Sequence, residues 1–136
     1  MKRHPQLQDI SREHHGALKL ARAARQAAES HDASQIATLA QRVVRLFAAE
    51  LEPHFCVEEQ GILLQMAAAG ELALVQRTLD EHVEMRCLVS ALAIPDAATL
   101  LRFADLLAAH VRFEERELFE AAQATLFGDM KTQPTT

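Results

Sequence analysis

The 136-residue sequence contains no tryptophan and no tyrosine, and only four glycines and four prolines. Few glycines and prolines mean few places where a helix must stop, and few aromatics remove a mainstay of strands. There are two cysteines, Cys56 and Cys87. Two cannot build a disulfide framework, and their spacing is not that of a zinc site. No apolar run is long enough to cross a bilayer, and no signal-peptide pattern is visible. Basic excess is missing as well: 14 Lys and Arg stand against 19 Asp and Glu, for a net charge of -5. With no basic stripe, a nucleic-acid surface is not expected. These absences together predict a cytoplasmic protein without nucleic-acid or membrane partners.

What is present is alanine, leucine and evenly mixed charge, with 49% of residues apolar. The length suits one domain with a real core. Periodicity predicts four helices. The first runs from Gln6–Asp9 to Ser30, with an inner seam of Leu7, Ile10, His14, Ala17, Ala21, Ala24 and Ala28. Asp32 with Gln35 reads as a capping box for the second. That helix is expected from Ala33 to Ala68, with Ile36, Leu39, Val43, Phe47, Glu50, His54, Glu58 and Ile62 inside. Pro53 should kink it, Gly61 weaken it and Gly70 end it. The third spans Glu71 to Ala93 along Val75, Leu79, His82, Met85, Val89 and Leu92. Asp96 caps the fourth, Ala97 to Phe127, with Leu100, Phe103, Leu107, His110, Glu114, Glu117 and Ala121 inside. Residues 1–128 then form one all-α domain, an up-down-up-down antiparallel four-helix bundle. Gly128 stops the last helix, and residues 129–136 form a polar, flexible tail.

Within these seams a histidine recurs. His54 and His110 each begin His-x-x-x-Glu-Glu, and His14 and His82 each follow a glutamate. Residues four apart share a helix face, so each longer motif offers an imidazole and a carboxylate to one spot. Burying this set without compensation would cost several kcal/mol, on the order of the penalty for unpaired polar groups. A metal compensates, because neutral imidazoles and ionised carboxylates suit iron, manganese or zinc. Six ligands exceed the usual four of a structural zinc and fit two ions sharing carboxylates. The bland reading is a set of His–Glu pairs that only stabilise long helices. His14 is preferred to His15 because it is better centred. Glu50, one turn before His54, is placed to hydrogen-bond a ligand. Glu59 and Glu115 are expected to face outward in ion pairs, Cys56 to pack, and His4 and His31 to be solvated.

Arg12-Glu13-His14-His15, Glu50-Leu51-Glu52-Pro53-His54-Phe55 with Glu58-Glu59, Glu81-His82, and His110-Val111-Arg112 with Glu114 to Phe119 resemble the hemerythrin-like, or HHE cation-binding, family. The resemblance covers Ile10 to Phe127. It implies a four-helix bundle with a non-haem centre of two iron ions, with zinc or manganese as substitutes. Carried over by position, the ligands are His14, His54, Glu58, His82, His110 and Glu114, with Glu58 and Glu114 bridging. Oxygen carriers of the family have a second histidine four residues after the first on the third helix; here that position is Arg86. Their last carboxylate is an Asp five residues after its histidine; here it is a Glu at four. These departures speak against reversible oxygen transport. The expected function is binding of oxygen or a related diatomic ligand such as nitric oxide, for sensing, redox work or iron handling. A metal- and oxygen-binding protein is favoured over an enzyme. The alternatives are a di-iron enzyme acting on peroxide or nitric oxide, and a zinc-bound or metal-free interaction module. A homodimer is compatible with such a bundle.

Overall fold

The computed structural model describes residues 4–127. The first arm of the bundle is a single helix, α1 (Pro5–Glu29). The second arm comprises α2 (Ala33–Leu46), a π-helical turn (Phe47–Leu51), α3 (Glu52–Gln60) and α4 (Ile62–Ala68). The third is α5 (Leu72–Ala91). The fourth comprises α6 (Ala97–Phe113), a π-helical turn (Glu114–Leu118) and α7 (Phe119–Thr125). The four arms form the expected all-α antiparallel bundle, and no strand occurs among the described residues. No described helix is long and apolar enough to cross a membrane. The expected stop at Gly128 and the tail after it lie outside the described residues.

Local chemistry sets the ends. Asp32 accepts from the backbone N–H groups of Ser34 and Gln35, and Asp96 accepts from that of Thr99. Both satisfy donors that an unfinished helix start leaves without partners. Gly70 has φ 95°, the left-handed conformation that closes a helix, and Glu71 N–H reaches back to the Met66 carbonyl. His4 is not a solvated terminus. Its ring nitrogen accepts from Gln6 N–H, and its ring stacks on Phe127 with centroids 3.8 Å apart. His31 is an exposed connector, as expected, with φ 58°.

The two π turns correct the seams. Proline 53 has no N–H to donate to the preceding turn, and its ring crowds the carbonyl there. The chain responds with a wide turn just before it, in which Glu52 N–H bonds the Phe47 carbonyl five residues back. The kink expected at Pro53 is thus a π turn, and its extra residue brings Leu51 inward while Glu50 is exposed. In the fourth arm Phe119 N–H bonds the Glu114 carbonyl in the same way. There Leu118 and Ala122 are buried, and the expected Glu117 points outward. At Gly61, between α3 and α4, a Cβ would lie 3.0 Å from the Val57 carbonyl oxygen.

The α1 seam is alanine-rich, and α1 packs chiefly on α6, because small side chains let helix axes approach closely. The apolar core has two parts. One gathers residues such as Ala24, Val43, Phe47, Met85, Phe103 and Leu107. The other gathers Leu7, Ile10, Ile62, Met66, Phe113, Leu118 and Phe119. Along α1, His14 falls between Ile10 of one part and Ala17 of the other, and His54 and Glu58 are bracketed by Leu51 and Ile62. A polar layer therefore divides the core.

Candidate metal centre

That layer holds His14, His54, Glu58, His82, His110 and Glu114, all buried. They form two groups, His14–His54–Glu58–Glu114 and Glu58–His82–His110–Glu114. Within each group one ligand-type atom per residue lies within 4.8 Å of every other. All six positions expected from the sequence are brought together. His15, one residue on, is exposed on the outer face of α1.

The two carboxylates belong to both groups. Glu58 Oε2 lies 3.3 Å from His54 Nε2, and Glu58 Oε1 lies 3.1 Å from His82 Nε2. Glu114 Oε1 lies 2.9 Å from His14 Nε2, and Glu114 Oε2 lies 3.0 Å from His110 Nε2. Each carboxylate thus turns one oxygen to each pair of imidazoles. The Nε2 atoms of His54, His82 and His110, both oxygens of Glu58 and one of Glu114 are buried without a hydrogen-bond partner. Unpartnered buried polar atoms are costly, and these six, spread over the two groups, are compatible with bound cations.

The other imidazole nitrogens are held by a second set of carboxylates. His14 Nδ1 is 2.7 Å from Glu115, and His54 Nδ1 is 2.5 Å from Glu13. His82 Nδ1 is 2.7 Å from Glu59, and His110 Nδ1 is 2.6 Å from Glu81. An ionised carboxylate only accepts, so each Nδ1–H donates and Nε2 is left to face the interior. Each bond joins two different arms, and the four close a ring around the bundle. Glu59 and Glu115 therefore turn toward imidazoles and not outward as expected, although Glu59 does keep an ion pair, with Arg86. A residue next to a ligand is turned about 100° from it on a helix. In a bundle that direction is the seam with the neighbouring arm, where the next imidazole lies. Adjacency was the signal in the sequence: every one of the four is a glutamate beside a candidate ligand. Glu50, the expected hydrogen-bond partner, does not take this role.

The surroundings shift several protonation equilibria. Burial alone would lower His14, but the bonds to Glu114 and Glu115 raise it to about 9. His110 is likewise raised to about 9, against its burial, by Glu114 and Glu81. His82 is lowered to about 4, because burial outweighs its bond to Glu59. Burial and the facing Glu114 push Glu58 well above the usual carboxylate range. Glu114, although buried, is held well below it by His110 and His14.

The two sides of the layer differ. The Phe55 ring is stacked on His82, and the Arg86 guanidinium lies 5.8 Å from the Phe55 centroid. Arg86 also pairs with Glu52 at 2.6 Å and Glu59 at 3.1 Å, and so braces the carboxylate that orients His82. His14 and His54 instead border a cavity of about 450 Å³ that also touches His110.

A layer of imidazoles and carboxylates across a four-helix core defines a class of helical proteins whose interior is compatible with a bound metal. The family model for the hemerythrin HHE cation binding domain matches residues 6–122, and the chain belongs to that family. No curated protein and no solved structure gives a match.

Proposed function

We propose that the chain is a non-haem di-iron protein of the hemerythrin type that binds oxygen or a related diatomic ligand. The observation that carries this reading is the sharing of Glu58 and Glu114, each with one oxygen toward each imidazole pair. Two imidazoles and two carboxylate oxygens at each position fit a borderline divalent ion such as ferrous iron. Bound ferrous ions would supply the redox chemistry and the ligand position. The chain's own part is to fix the six donors, orient the imidazoles through Glu13, Glu59, Glu81 and Glu115, and limit water on the His82 side. The cavity beside His14 and His54 supports ligand entry from that side. The same open side also favours a second reading, an enzyme turning over peroxide or nitric oxide.

The test is metal content per chain together with the near-ultraviolet spectrum of the same sample. Two irons per chain with oxo-to-iron charge-transfer bands are expected. Little iron after anaerobic reconstitution, or a single tightly held zinc, overturns the reading and leaves an interaction module. Consumption of peroxide or nitric oxide faster than by free iron would select the enzyme.

A further inference from the structure

The cavity beside His14 and His54 is far larger than a diatomic ligand needs. Its volume is about 450 Å³. Pockets for organic ligands run from about 300 to 1,000 Å³, and an apolar hole of about 150 Å³ already takes benzene. Its wall is mostly hydrocarbon: Ala17 and Leu20 of α1, Leu46, Ala49 and Leu51 of the second arm, and Leu107 and Val111 of α6 line it. The polar side chains on the wall are Glu13, His14, Glu50, His54 and His110.

Those polar groups define the head of a ligand. The three histidines have Nδ1 on Glu115, Glu13 and Glu81, and their Nε2 atoms lie within 3.3 Å of Glu58 or Glu114. The remaining polar side chains, Glu13 and Glu50, are carboxylates, which accept when ionised. A ligand that donates a hydrogen bond is matched. Glu13 and Glu50 are exposed, so they stand at the mouth of the cavity; a carboxylic acid is repelled there by like charge, whereas a neutral hydroxyl donates and carries no charge past the apolar wall.

We propose that this cavity is a binding site for a neutral hydroxyl compound with an apolar body, an alcohol or phenol, held with its hydroxyl toward Glu13. It extends the diatomic reading: the cavity on the open side of the candidate centre also holds an organic molecule, beside the centre and not on it. The site is built by the chain itself, so it binds with or without metal.

The test titrates 4-methylphenol into the metal-free protein and into anaerobically iron-loaded protein, following backbone amide shifts. Saturable shifts clustered at Ala17, Ala49, Leu107 and Val111 are expected in both forms. Binding of 4-methylbenzoate should be at least about tenfold weaker, a difference of about 1.4 kcal/mol. Ala49 is exposed on the π turn, so Ala49→Trp can fill the cavity from its side; it should weaken 4-methylphenol at least about tenfold with helical content unchanged. Should that variant misfold, Ala49→Leu gives the same ordering with a smaller loss. No saturable shift up to about 10 mM, where a millimolar site would be largely filled, overturns the proposal. So does binding that ignores Ala49 or prefers the anion. Phenol binding without iron uptake keeps this site and removes the di-iron reading; iron uptake without phenol binding does the reverse.

Discussion

The ring of Phe55 lies on that of His82 with centroids 3.9 Å apart and 9° between the planes. Phe55 is fully buried, and its edge also meets Phe47. It therefore serves the core and shields one half of the polar layer. Replacing it with alanine should lower stability by about 3–5 kcal/mol, the cost of deleting a buried phenyl ring. It should also speed extraction of bound metal by a chelator. Denaturant unfolding and a timed chelation assay read the two effects. A stable variant with unchanged extraction would show that Phe55 does not guard His82.

The glutamates on Nδ1 make a second prediction. Glu115→Gln keeps the shape and removes the charge that receives His14 Nδ1 and the Ser11 hydroxyl. Glu59→Gln does so for His82, and also loses the Arg86 ion pair. Each should lower metal affinity by about 10- to 100-fold, the usual loss when a ligand's orienting partner is removed. Competition with a chromogenic chelator measures this. Unchanged affinity would mean that the imidazoles are held by packing alone.

A third prediction concerns pH in the metal-free protein. Unfolded histidines titrate near 6.5. His14 and His110 are raised to about 9, so the folded chain holds their protons more tightly. Their contribution is complete below about 6.5 and is lost as pH rises through about 9. His82 is lowered to about 4 and works in the opposite sense, weakening the fold as pH falls from about 6.5 toward 4. Thermal melts should therefore show greatest stability near pH 6.5 as far as these groups decide it. Metal needs neutral imidazoles, so its uptake at pH 7 should release protons from His14 and His110 and grow tighter with rising pH. Calorimetry in buffers of different ionisation heat checks the release.

The π turn before Pro53 gives a fourth prediction. Leu51→Ala should cost about 2 kcal/mol or more, because a buried leucine is truncated. Glu50→Ala should change stability by less than about 0.5 kcal/mol, as exposed positions do. An unbroken α-helix with Glu50 inside would reverse the order. Urea unfolding of both variants decides between them.

Much of this architecture is legible in residue spacing. The α1 seam and the four central histidines follow from a period of 3.6, since every expected α1 position is buried. The caps at Asp32 and Asp96 follow from local chemistry. What spacing did not reveal is the change of period at the π turns. A regular helix continued through residues 47–51 and 114–118 puts Glu50 and Glu117 inside, whereas both turns widen there. The roles of Glu13, Glu59, Glu81 and Glu115 escaped for another reason. Their partners sit on neighbouring arms, so adjacency to a candidate ligand marks the four glutamates but does not say which imidazole each one meets across its seam.

The ring of imidazole–carboxylate bonds alternates in kind. His54–Glu13 and His110–Glu81 close within each successive hairpin, whereas His14–Glu115 and His82–Glu59 cross between hairpins. The pattern maps onto itself when the hairpins exchange places. Two identical hairpins, each with Glu-His on one helix and His-x-x-x-Glu-Glu on the other, would tie the same knot. The chain thus carries the bonding logic of a symmetric dimer of half its length, joined end to end. Sliding any one helix along its axis would strain two of the four bonds at once, so this girdle fixes the relative height of all four.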